Sequence, residues 1–138
     1  MKLRKFHPEG NGDIIKINGV RTLTWFQPIR PCSLGAVYSI ELRYALFDVP
    51  RPLVHLPDLR SMAGNRKLPH VYSDFDGKTY LCLWKDGDWN SRRLLARTMI
   101  PWTAEWFLFF EYWLATREWL GGGTHPTAVN PPELNLSA

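Results

Sequence analysis

The stretch His70-Val71-Tyr72-Ser73-Asp74-Phe75-Asp76-Gly77-Lys78-Thr79-Tyr80-Leu81-Cys82-Leu83 decides how this chain is read, and Trp89 follows seven residues after the cysteine. A thiol stands between two leucines just beyond a glycine turn. An acidic loop, Lys85-Asp86-Gly87-Asp88, comes next and leads into a helical run. This order presents the sulfur at the end of an extended segment, where an acyl group could be loaded onto it and taken off.

Upstream of this stretch the pattern is β. Runs over 13–17 and 20–26 are joined by Asn18-Gly19, a pair that favours a type I′ turn because both central residues need positive φ. That predicts a hairpin, interrupted by Pro28 and Pro31. The next strand is expected over 36–47, where Val37, Ile40, Leu42, Tyr44 and Leu46 fall mostly in period two. A turn over 48–52 leads to a short strand over 53–56, closed by Pro57. The polar, glycine-containing stretch 61–68 reads as loop.

Downstream the period changes. Leu94, Leu95, Thr98 and Met99 suit one or two helical turns, and Pro101 fits the first turn of a new helix, where its missing N–H is no loss. Trp102, Trp106, Phe109 and Trp113 fall at helical spacing, as do Phe107, Phe110 and Leu114. A helix over 102–120 that is apolar on most sides should be buried on one face and meet a partner on another. Gly121-Gly122-Gly123 is expected to end it. Strands first, then the cysteine segment, then helices make an α+β pattern with an antiparallel meander.

At 138 residues the chain fits one domain, expected over 1–130 with a loose tail over 131–138. An apolar content of 45% with 14% aromatic residues supports a packed core and excludes a disordered chain. The net charge of +4 comes from 17 basic and 13 acidic residues spread along the sequence, which reads as a solvated mixed surface. No signal peptide is visible, because His7-Pro8-Glu9-Gly10 follows the basic start. The most hydrophobic region, 100–120, carries Glu105, Glu111, Arg117 and Glu118, which excludes an ordinary membrane span. Two cysteines do not make a disulfide framework, so a reducing cytoplasm is the expected setting. The four histidines show no paired ligand spacing, so neither a metal nor another cofactor is expected.

The layout resembles ubiquitin-conjugating enzymes. Tyr38-Ser39-Ile40-Glu41-Leu42 looks like their second strand, and Pro50-Arg51-Pro52-Leu53-Val54-His55-Leu56 like the proline-led third. Leu68-Pro69-His70-Val71-Tyr72 occupies the place of their His-Pro-Asn stretch. Gly77, Cys82, Leu83 and Trp89 then match in order. The usual asparagine is absent, the gap from His70 to Cys82 is longer, and no long helix precedes the strands. These differences set the chain apart from eukaryotic enzymes that handle ubiquitin. The Leu-Cys-Leu core and the run Trp119-Leu120-Gly121-Gly122-Gly123-Thr124-His125-Pro126 are similar to bacterial relatives found in type II cyclic-oligonucleotide antiphage signalling (CBASS) systems. The resemblance implies a ubiquitin-conjugating-enzyme-like fold and conjugation of the C-terminus of a cGAS-like nucleotidyltransferase, with a ubiquitin-activating-like enzyme as a further candidate partner. It implies no membrane partner and no direct nucleic-acid partner.

A carrier of this kind takes an acyl group as a thioester and passes it to an amine. It needs an exposed sulfur, a donor for the oxyanion of the tetrahedral intermediate, and help in deprotonating the amine. Cys82 is the candidate nucleophile; Cys32, in a turn between Pro31 and Ser33, reads as structural. His70 could donate to the oxyanion or simply hold the loop. Asp86 and Asp88 could accept a proton from an incoming lysine or be solvated loop residues. His125 could fold back to the site, although a helix-terminating loop explains the glycines before it equally well.

Rival readings belong to other classes. One is a relative that keeps the fold and only binds a partner. Another is a nucleic-acid-binding β module that stacks bases on Trp25, Phe26, Tyr38 and Tyr44. A cysteine hydrolase would need a histidine base close to Cys82, which no local motif supplies.

Overall fold

A computed structural model of the chain describes residues 2–72, 78–84 and 89–121. A short helix α1 (Lys2–Phe6) precedes four strands, β1 (Asn11–Ile17), β2 (Val20–Ile29), β3 (Tyr38–Ala45) and β4 (Arg51–Leu56). Helix α2 (Leu59–Ala63) separates these from β5 (Val71–Tyr72) and β6 (Thr79–Leu81), and α3 (Met99–Thr116) follows a 3₁₀ turn at Leu95–Arg97. The strands form one six-stranded antiparallel sheet in the order β1-β2-β3-β4-β6-β5. The α+β meander expected from the sequence is therefore present.

The hairpin turn behaves as its sequence demands. Ile17 pairs with Val20, and Asn18 and Gly19 adopt φ of 51° and 79°. Several boundaries differ from the expectation. Pro28 does not interrupt β2 but pairs with Ser39 inside it. The ladder to β1 ends at Asn11↔Phe26, so beyond Phe26 β2 has β3 alone as a neighbour, and a missing N–H is tolerated on such an edge. β3 is shorter than expected, because Leu46 and Phe47 belong to the turn and Asp48 N–H donates back to the Ala45 carbonyl at 3.1 Å. β4 starts earlier, with Pro52 opposite Leu42.

Part of the 61–68 stretch is helix rather than loop. Asp58 caps α2, its Oδ1 accepting from the Arg60 N–H at 3.0 Å and its Oδ2 from the Ser61 hydroxyl at 2.9 Å. That aspartate is the local signal for the helix.

α3 packs through a stripe of Met99, Ile100, Thr103, Trp106, Phe107, Phe110 and Trp113, the three-to-four spacing of one helical face. Tyr38 on β3 stacks on Phe107 with ring centroids 3.8 Å apart, and its hydroxyl donates to Glu111 Oε2 at 2.8 Å. Burial and the neighbouring carboxylate both push the Tyr38 phenol far above its ordinary range. Trp25, Ile40, Leu42 and Leu81 complete the core on the sheet side.

The triple glycine does not end α3. The helix stops at Thr116, where Arg117 takes a left-handed φ of 69° and its N–H donates to the Trp113 carbonyl at 2.7 Å. Arg66 supports this end from outside the helix. Its guanidinium lies 4.5 Å from the Trp113 ring and donates to the Trp113 and Leu114 carbonyls, each at 3.3 Å. A cation at a helix C-terminus complements the macrodipole and satisfies orphan carbonyls. None of the described helices is long and apolar enough to cross a membrane.

Candidate active site

β5 and β6 build the site. Their register, Val71↔Leu81 and Tyr72↔Tyr80, continues one step further as the Cys82 N–H donates to the His70 carbonyl at 3.0 Å. Cys82 therefore stands at the end of an extended segment, directly after β6, as the sequence predicts. Alternation sends neighbouring side chains to opposite faces of a sheet. Leu81 enters the main core, with Val71 and Leu83 packed against it. Cys82 and Tyr72 form a separate small cluster, with Tyr80 beside them.

The His70 carbonyl has a second donor. Trp106 Nε1–H reaches it at 3.1 Å from α3, so one backbone oxygen ties the cysteine strand to the long helix. His70 itself is buried and left-handed, with φ of 49°. Its ring stacks on Trp119 at 4.9 Å between centroids, and Trp119 lies 5.3 Å from Trp106 and 5.9 Å from Phe109. The structure thus brings His70 and Cys82 together through the backbone and braces the His70 ring with an indole. Trp106 was legible as a helix aromatic and Trp119 as the head of the run before the glycines, but nothing in their spacing pointed to the cysteine strand.

The sulfur is less open than acyl-transfer chemistry suggested, since Cys82 is 8% exposed. Burial pushes its thiol above the ordinary range, and a hydrogen bond from the Tyr72 side chain partly offsets this. Cys32 is an exposed free thiol whose carbonyl accepts the Gly35 N–H at 2.9 Å within its turn. Asp86, Asp88, His125 and Gly77 lie outside the described residues, as does the 131–138 tail. Trp89 packs edge-on against Tyr44 with centroids 5.6 Å apart. Among the described residues no group of three or more His, Cys, Asp or Glu side chains could hold a metal ion.

On the β3–β4 part of the sheet, Glu41 accepts from Arg43 Nε at 2.6 Å and lies 2.8 Å from His55 Nε2. Burial raises the Glu41 carboxyl, but these two partners prevail and hold it below the usual carboxylate range. Of the four aromatics that a nucleic-acid module would use for stacking, Trp25 and Tyr38 are 0% exposed and out of reach of a base, Tyr44 is half-buried and Phe26 is exposed.

An antiparallel six-stranded sheet, a cysteine placed at the end of an inner strand and an aromatic helix behind it define an α+β protein with a thiol at a strand end. A family model described as "Type II CBASS E2 protein" matches residues 2–126, and the chain belongs to that family. Its role is accordingly that of an E2-like protein of CBASS antiphage systems. No curated protein matches the chain.

Proposed function

We propose that Cys82 is the acyl-accepting thiol of a ubiquitin-conjugating-enzyme-like transferase. It takes the C-terminus of a partner protein, a cGAS-like nucleotidyltransferase, as a thioester and passes it to an amine. The observation that carries this reading is the placement of Cys82: one step past β6, off the main core, with its backbone locked to His70. In the forward step the thiolate attacks the activated carbonyl of the donor and the donor's leaving group departs. In the second step an amine attacks the thioester carbonyl, loses a proton and expels the Cys82 thiolate. The membership in the CBASS E2 family supports the reading at the level of the system. Exposed Leu108 and Tyr112 on α3 leave that helix an apolar outer surface for a partner of the conjugation machinery.

The test is a non-reducing gel of the chain with the nucleotidyltransferase and any activating enzyme the pair requires. A higher-mass adduct should form and disappear with thiol. Cys82→Ser could trap a more stable ester, and Cys32→Ser should leave the adduct intact. A thiol-sensitive adduct that persists in Cys82→Ala would sink the proposal.

The burial of Cys82 favours a second reading, a relative that binds the same partners without chemistry. It predicts a stable complex on a sizing column and no adduct under any activating condition.

A further inference from the structure

We propose that the Tyr72 hydroxyl holds the Cys82 sulfur and stabilises it as a thiolate, which makes Tyr72 a working residue of the thiol site. This rests on Cys82 being the acceptor thiol, and it adds a residue to which the sequence pattern assigned no role.

The placement follows from the strand register. Tyr72 is opposite Tyr80 in the β5–β6 ladder, and Cys82 is two residues beyond Tyr80. Residues two apart share a face, so Tyr72, Tyr80 and Cys82 project to the same side of the sheet, opposite the core residue Leu81. Diagonal neighbours across an antiparallel pair lie within reach of a long aromatic side chain. Tyr72 and Cys82 pack together in one buried cluster, which sets the Tyr72 phenol beside the sulfur. Tyr72 is 5% exposed and Cys82 8%, so the contact is shielded from water.

Shielding is what gives the hydroxyl its importance. A buried thiol resists ionisation because the thiolate loses its hydration. A hydrogen bond to the charged form returns part of that loss, and such bonds are stronger than neutral ones. In that bond the phenol O–H is the donor and the thiolate sulfur the acceptor. The proton lost is the one on sulfur, which goes to solvent; the Tyr72 O–H bond remains intact. The same bond orients the sulfur, since the ring is fixed by its strand. Tyr80 belongs to the same cluster and acts as an internal comparison.

The experiment is the pH profile of Cys82 alkylation by iodoacetamide, followed by intact mass in a Cys32→Ser background. Tyr72→Phe removes the oxygen and keeps the ring. Its alkylation midpoint should rise by about one pH unit, the effect of losing one hydrogen bond to a charged group. The more basic thiolate is a better nucleophile, so the high-pH plateau should rise about threefold and the neutral-pH rate should fall about three- to fourfold. Tyr80→Phe should leave the midpoint unchanged. A Tyr72→Phe midpoint equal to the parent's, or an equal shift in both variants, overturns the proposal. If Tyr72→Phe does not remain folded, 4-aminophenylalanine at position 72 replaces it. Its N–H is a weaker donor than a phenol and its amine is uncharged in this pH range, so the midpoint should rise, and an unmoved midpoint overturns the proposal in that case too. The readout needs no acyl donor, so it separates from the adduct test. Missing adducts with a shifted profile remove the transferase reading, whereas intact adducts with an unshifted profile remove Tyr72.

Discussion

Trp106 joins the helix to the thiol strand, and Trp106→Phe isolates what that joint contributes. Trp106 is 3% exposed, with Phe107, Phe110 and Trp119 centred 5.4, 5.3 and 5.3 Å from its ring. Its indole N–H donates to the His70 carbonyl at 3.1 Å. Phenylalanine cannot make that bond. The carbonyl keeps its Cys82 donor and is not orphaned, so the loss is at the lower end of the usual range, about 0.5–1 kcal/mol. Shrinking indole to phenyl removes buried surface and leaves a small void, together about 1–2 kcal/mol. The sum, about 1.5–3 kcal/mol, should lower the melting temperature by roughly 5–10 °C in a chain of this size. Trp106→Ala should lose about 3–5 kcal/mol. Urea denaturation followed by far-ultraviolet circular dichroism is the assay, because tryptophan fluorescence changes with the substitution itself. Hydrogen exchange at the Cys82 amide should also speed up in Trp106→Phe, since its acceptor is then held from one side only. A Trp106→Phe protein within about 0.5 kcal/mol of the parent, with an unchanged Cys82 amide, would refute the claim that this indole braces the site.

Two further outcomes follow from the geometry. His70→Ala must hold a left-handed φ without the Trp119 stack, so it should lose about 1–3 kcal/mol, while His70→Asn, which tolerates that backbone, should recover part of it; if the imidazole also donates to the oxyanion, His70→Ala should slow single-turnover discharge of a preformed thioester by about 10²–10³, and discharge at the parent rate would leave His70 a purely bracing residue. Glu41, whose carboxyl Arg43 and His55 hold below its ordinary range, favours folding when ionised. Its contribution is therefore full above the unfolded carboxyl range and lost as pH falls through the folded value. Glu41→Gln should accordingly be less stable than the parent at neutral pH, with the gap closing in acid below about pH 4, and a gap independent of pH in urea titrations would contradict this.

What the sequence by itself determined was the set of local choices. Asn18-Gly19 requires positive φ at both positions, so the first hairpin was legible from two residues. The helical spacing of Trp106, Phe107, Phe110 and Trp113 placed them on one helix without separating its buried stripe from Trp102, Phe109 and Leu114, and the glycine turn before Leu81-Cys82-Leu83 placed Cys82 at a strand end. The order of these motifs carried the family. Tertiary structure decided whatever depended on a residue far away in the chain. Pro28 stays in β2 because β1 has already ended, a fact held in the register and not in the proline. α3 stops at Thr116, before its glycines, where Arg66 from another segment covers the final carbonyls. The thiol's setting is of the same kind. Whether Cys82 is open, which carbonyl its N–H meets and which side chain packs against it depend on β5 pairing with β6 and on α3 crossing behind His70. Periodicity tells which face a side chain takes within its own element, whereas the dielectric and hydrogen bonding around a sulfur are set by elements brought together only when the chain folds.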